Sequence, residues 1–200
     1  MKISISKSNK KMCGIPSFSF PPVVTCSNCA ECKRKCYALR MAKFRPSIME
    51  AWRGNLEAWN ENREAVKHRI MSEAFLTRYF RYFVGGDIPD FGFLCMMAEV
   101  AEAVSGCTFL AFTKKFDLVN KYLETFGPLP DNLRIIFSGW GSALRPVNPH
   151  GLPESDIIQK GEKMPDDCLK LCGGNCADCI CRGVACWDLK PGEKIYFIEH

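Results

Sequence analysis

The chain has little that would take it into or through a membrane. In 200 residues no apolar run approaches the roughly 20 needed for a span, and residues 1–11 are polar and basic, without the apolar centre of a secretory signal. Histidine is scarce, at three residues (His68, His150 and His200), and the paired histidines of a zinc protease are missing. No phosphate loop, no nucleophile elbow and no G-x-G-x-x-G after a strand occurs, which removes the usual signatures of nucleotide-binding and serine-hydrolase sites. These absences predict a cytoplasmic protein with no membrane partner. In a reducing cytoplasm, clustered cysteines serve metals more often than disulfides.

Cysteine is what the chain has in excess: 13 residues, an odd count that argues against a complete internal disulfide set. One run, Cys26, Cys29, Cys32 and Cys36, has the spacing C-x2-C-x2-C-x3-C. Bacterial-type ferredoxins use that spacing to wrap a cubane cluster, although Tyr37 stands here where they carry proline. The spacing predicts an iron–sulfur centre, of the 4Fe-4S type, with these four cysteines as ligands. A second run holds Cys168, Cys172, Cys176, Cys179, Cys181 and Cys186, with Gly173 and Gly174 for tight turning. Four of them would suffice for tetrahedral zinc, and Cys176-x2-Cys179 supplies the usual pair. They would equally hold a second cluster or donate a ligand to the first, since thiolates suit both metals. Cys95 and Cys107 lie in apolar surroundings and read as core.

A hydrophobic content of 47% and a charged content of 24% are those of a globular protein able to bury one core. The expected organisation is a single domain: an arm and cluster loop over 1–46, an α/β core over 47–160, and a Cys-rich tail with a terminal strand over 161–200. A strand over 17–20 precedes a short helix over 32–43, then a long helical stretch over 47–78, broken at Gly54-Asn55 or at 60–62. Its stripe of Trp52, Leu56, Trp59, Val66 and Ile70 reads as core. Strands over 78–84, 108–112 and 133–137 alternate with helices over 93–104 and 116–126, and 193–198 forms a last strand. Strand–helix–strand units at this spacing pair in parallel. Too few strands are legible for a full eight-fold barrel, so the fold class is α/β, an abbreviated or partial (β/α) barrel.

Polar residues gather where strands end, at Gly85-Gly86-Asp87, Thr113-Lys114-Lys115 and Ser138-Gly139-Trp140, and such ends form the active face of this fold class. His150, in a loop after the third strand, is placed to approach that face. Val84-Gly85-Gly86-Asp87-Ile88-Pro89 resembles the Gly-Gly-Glu turn of the radical S-adenosylmethionine superfamily, with Asp for Glu. The resemblance implies a cofactor-binding role for Gly85, Gly86 and Asp87, toward the amino group of S-adenosylmethionine. Cys172, Cys176 and Cys179 have that superfamily's C-x3-C-x2-C ligand spacing, but near the C-terminus. Further blocks are similar to the phage- and prophage-associated family named for a gene product eighty-eight. They are residues 17–22, the Cys26–Cys36 run continuing into Tyr37-Ala38, Asn55, Gly86-Asp87, Phe112-Thr113-Lys114, Ile136-Phe137-Ser138 and Cys186-Trp187. That family implies a phage setting and a radical-enzyme-like architecture. It also suggests a less regular role for Cys29 than for Cys26, Cys32 and Cys36.

Net charge is +5, and Lys33, Arg34, Lys35, Arg40, Lys43 and Arg45 crowd the first run against Glu31 alone. Such cations would offset the charge of a thiolate-ligated cluster or attract nucleic-acid phosphates, or form a solvated helix face. Two functions follow as expectations. One is an iron–sulfur protein with a redox role or a radical-enzyme-like scaffold, served by a redox partner or a small molecule. The other is a non-catalytic zinc-stabilised module that binds nucleic acid or a protein partner.

Overall fold

Alternation of apolar side chains along the central strands decides how the layers stack. The computed structural model describes residues 2–7, 9–27, 30–159, 161–165 and 170–199. Six strands form one all-parallel sheet in the order β1-β2-β3-β4-β5-β6: Ser17–Phe18, Tyr79–Tyr82, Thr108–Thr113, Leu133–Ser138, Glu154–Ile158 and Lys194–Ile198. Phe18, Phe80, Tyr82, Phe109, Ala111, Leu133, Ile135 and Phe137 point to one face and belong to the main core. Leu110, Ile136 and Ile195 point to the other, beside Tyr79, Phe112 and Phe197. A sheet that is apolar on both faces must be covered on both.

The helices before β5 are α1 (Ala30–Arg34), α2 (Tyr37–Phe44), α3 (Pro46–Glu61), α4 (Arg63–Ala74), α5 (Phe91–Ala103) and α6 (Phe116–Phe126), and the last four of them cover the first face. Trp59 from α3, Val66 and Ile70 from α4, Phe93 and Leu94 from α5 and Val119 from α6 all enter the main core. The sheet order never reverses, and crossovers that step one way with one hand put their helices on one face. The expected stripe is therefore core, with only Leu56 partly exposed. Its break falls at Asn62, whose side chain caps α4 by accepting from the Ala65 N–H.

The connection from β5 to β6 runs over the second face instead. It carries α7 (Cys176–Cys181) and brings Trp187 onto the sheet. The Trp187 Nε1–H donates to the Phe80 carbonyl at 3.2 Å, and its own carbonyl accepts from Arg134. Arm and tail are thus parts of the sheet layer, since β1 comes from the first and β6 from the second.

Two sequence expectations change. The helix over 32–43 is two helices, because Cys36 is extended (φ −63°, ψ 111°) and starts α2 afresh. β5 is an additional strand. Its polar residues hide it in the sequence but are satisfied in place: Asp156 accepts from the Gly141 and Ile157 N–H groups, and Glu154 from Asn148.

Candidate metal centre

The carboxyl ends of β1 to β4 are wired together by hydrogen bonds. Asp87 follows β2 and is 4% exposed. Its Oδ1 accepts from the Thr113 hydroxyl at 2.6 Å and from the Ile88 N–H, and its Oδ2 accepts from the Lys114 N–H at 2.8 Å. Its own N–H donates to Thr25 Oγ1. Lys114 extends the network, its ammonium donating to the carbonyl and hydroxyl of Ser138 and to the Gly139 carbonyl. Burial raises the Asp87 pKa above the usual carboxylate range, opposed by these donors and by the Lys114 charge. The two glycines before it serve the same packing. A Cβ on Gly85 would lie 2.6 Å from the Trp52 ring. One on Gly86 (φ +76°) would lie 2.6 Å from the Phe20 carbonyl and 2.7 Å from Thr25 Oγ1. The close backbone approach that Gly-Gly allows is thus made by the protein itself.

The first cysteine run sits against this network. Cys26 follows β1, is half-buried, and lies within electrostatic range of Asp87, Cys36 and Lys115. Its sulfur accepts from the Val23 N–H at 3.4 Å, the kind of bond that tunes a thiolate-bound cluster. Burial raises its thiol pKa most; that bond lowers it, as does Lys115, while Asp87 and Cys36 raise it. Tyr37 gathers the group: its phenol donates to the Val84 carbonyl and feels Cys36, Cys32 and Cys26. Burial of the hydroxyl pushes its pKa up, and Arg81 opposes the shift. Lys35, beside Cys36, pairs with Glu199 just past β6. The run therefore reaches from the end of β1, one edge of the sheet, to the end of β6, the other. Cys29 lies outside the described residues.

The second run makes a separate group on the second face of the sheet. Cys172, Cys176, Cys179 and Cys186 pack with Leu110, Ile136, Trp187 and Ile195. Cys176 feels Cys172, Cys179 and Cys13, and Cys186 feels Cys172, Cys176 and Cys179. Burial pushes Cys186 up to about 12 and also raises Cys176, with Arg81 pulling both down. Cys181 is exposed, and Cys168 lies outside the described residues. Cys13 was not expected here. It has a left-handed backbone (φ 51°) after a short 3-10 turn, and its thiol lies 3.3 Å from Asn175 Oδ1, next to Cys176. Its lone position in the sequence hides this, because only the fold brings residue 13 to residue 175.

The donor chemistry of both groups fits a thiophilic metal: several half-buried thiols with a cation nearby, joined at Cys26 by a backbone N–H on sulfur and in the tail group by apolar walls. Among the described residues, no three His, Cys, Asp or Glu side chains meet in the arrangement of a metal site. The thiols share two neighbourhoods without closing on one point in either.

Other candidates lie elsewhere. His150 lines a cavity of about 470 Å³ with Leu133, Pro153 and Pro191, at the amino ends of β4 to β6, opposite the face it was expected to approach. A cavity of about 320 Å³ lies between the arm and α3, lined by Ser4, Lys7, Ser19 and Trp52. No helix among the described residues is long and apolar enough to cross a membrane.

The family described as gene product 88 matches residues 2–180, across both cysteine runs up to Ile180. The chain belongs to the gene product 88 family. This is the phage-associated family that the sequence blocks resemble, and the match lends nothing to the wider radical S-adenosylmethionine resemblance. No curated protein and no solved structure matches the chain.

Proposed function

We propose that this member of the gene product 88 family is an iron–sulfur protein with a redox role, its cluster held at the carboxyl ends of the strands by Cys26, Cys32 and Cys36. Cys29 would complete the set. One observation carries the reading: Cys26, Cys32 and Cys36 of the first run all lie within electrostatic range of the Tyr37 phenol, beside the polar strand ends. The raised Cys26 pKa means that cluster assembly must displace a proton there. Lys115, and the cations that follow Cys32, would offset the negative charge of the thiolate-ligated cluster.

The scaffold reading is an abbreviated barrel. Sequential parallel order, helices α3 to α6 on one face and the Lys35–Glu199 tie from the first cysteine run to the end of β6 support it. S-adenosylmethionine has less support, because both Asp87 oxygens already accept donors of the chain itself. The test is anaerobic purification followed by visible absorbance and EPR of the dithionite-reduced protein. The expected result is a brown protein with a cluster signal that Cys26→Ser, Cys32→Ser and Cys36→Ser each abolish. A colourless protein that carries stoichiometric zinc would overturn the reading.

One observation favours a structural metal in the tail. Cys172, Cys176, Cys179 and Cys186 sit on an apolar sheet face under Trp187, a setting suited to a closed tetrahedral centre such as zinc. In that reading the tail metal stabilises the second face, and the strand-end group carries the chemistry.

A further inference from the structure

α2 carries two exposed apolar side chains, Met41 and Phe44, that neither metal reading uses. It turns Ala38 and Ala42 inward. At about 3.6 residues per turn, Tyr37, Arg40, Met41 and Phe44 share the opposite face. Phe44 is 83% exposed and Tyr37 48%. The Tyr37 ring is also held in place, because its hydroxyl bonds the Val84 carbonyl. Seven residues separate the two rings, about 10 Å along the helix axis. Between Glu31 and Glu50 the sequence has six cations and no acid. Arg34 pairs with Glu31 and Lys35 with Glu199, and the side chains of Lys33, Arg40, Lys43 and Arg45 are exposed.

Contiguous exposed apolar patches rimmed by polar residues mark interaction sites, and Tyr37, Met41 and Phe44 form such a patch among the cations. Cations alone would serve any polyanion, but ring faces interleaved with cations match the alternation of base and phosphate in a single strand. A duplex hides its base faces and offers nothing for the rings. We propose that α2 and the residues flanking it bind single-stranded nucleic acid. The Tyr37 and Phe44 rings act as stacking surfaces, and Lys33, Arg40, Lys43 and Arg45 bind phosphates. The fixed Tyr37 ring lowers the ordering cost of binding. α2 begins at Cys36, so a bound strand passes beside the strand-end thiols. The proposal is independent of which metal, if any, those thiols hold.

The test is fluorescence anisotropy of the full-length protein with a labelled thymidine oligonucleotide of about 12 nucleotides, over a salt series. Expected is binding that Phe44→Ala weakens about tenfold, equivalent to about 1.4 kcal/mol, with the salt dependence unchanged. Lys43→Glu with Arg45→Glu should weaken binding and flatten the slope of log K against log salt by about 0.7 for each phosphate no longer neutralised. Phe44 is solvent-exposed, so its variant keeps the fold, which circular dichroism checks. Three results overturn the proposal: no binding at about 50 mM salt, equal affinity for a duplex, or sensitivity to the charge reversals without sensitivity to Phe44→Ala. The last would leave only general attraction for polyanions, acidic proteins included.

Discussion

Two groups of the same side chain meet two different environments in this protein. The strand-end thiols, Cys26, Cys32 and Cys36, lie in and around α1 beside a hydrogen-bonded polar network, next to Lys115 and an exposed cationic helix. The tail thiols, Cys172, Cys176, Cys179 and Cys186, lie on an apolar sheet face beneath Trp187, where burial pushes Cys186 up to about 12. Arg81 connects the two, acting on Tyr37 in the first group and on Cys176 and Cys186 in the second. The Arg81 Nε is also buried without a hydrogen-bond partner among the described residues. A centre that exchanges electrons needs access, and one that holds a fold together needs dryness. On the proposed reading, position and not ligand type assigns the roles.

The sharpest way to break this comparison is to remove the tail. Truncation before Cys168 takes away β6 and Trp187 along with the thiols, so cooperative unfolding should vanish in calorimetry. A truncated chain that melts like the full one would make the tail an appendage. Next in size is Trp187→Ala, which empties a fully buried site on the second face and should cost about 3–5 kcal/mol in urea unfolding. Phe44→Ala on the exposed face should stay within about 0.5 kcal/mol.

Gly86→Ala comes third. It forces a Cβ against the Phe20 carbonyl at a left-handed φ, and should cost about 2 kcal/mol or more. A neutral result would mean that the β2 end is not packed against the β1 end as described.

The smallest effect concerns the arm. Glu73 on α4 is buried and paired with Lys7 and Arg69, and the Lys7 bond chiefly holds its pKa below 4.5. Its contribution is full above about pH 4.5 and is lost as pH falls through the lower folded value. Glu73→Gln should lose about 1 kcal/mol at neutral pH and flatten the acid limb of a stability–pH curve. An unchanged acid limb would remove this pair from the account.

Most of the helical face was legible in the sequence. The stripe from Trp52 to Ile70 follows from helical periodicity, because burial on one face imposes it, and the strand runs around Phe80, Phe109 and Ile135 are legible as near-continuous apolar runs, because the sheet is covered on both faces. The rest depended on tertiary partners. β5 carries Glu154, Ser155 and Asp156, polar residues that a strand tolerates here because Gly141, Asn148 and Lys194 satisfy the two acids. The Gly85-Gly86-Asp87 turn was visible as a motif, but its packing was not: Trp52 and Phe20 lie against the glycines and the Thr113 hydroxyl donates to Asp87. The spacing of the two cysteine runs marked them as metal candidates. It could not reveal that Cys13 joins the tail group or that Cys181 turns outward.

The central claim is that the strand-end thiols hold an iron–sulfur cluster and the tail thiols do not hold the same one. Quantifying iron and acid-labile sulfide per chain after anaerobic purification tests it most directly, with Cys32→Ser and Cys176→Ser measured alongside the parent protein. The account predicts iron and sulfide in equal amounts in the parent, loss of both in Cys32→Ser, and retention of that strand-end cluster in Cys176→Ser. Iron that survives Cys32→Ser but disappears with Cys176→Ser would contradict it, and would move the cluster to the apolar face of the sheet.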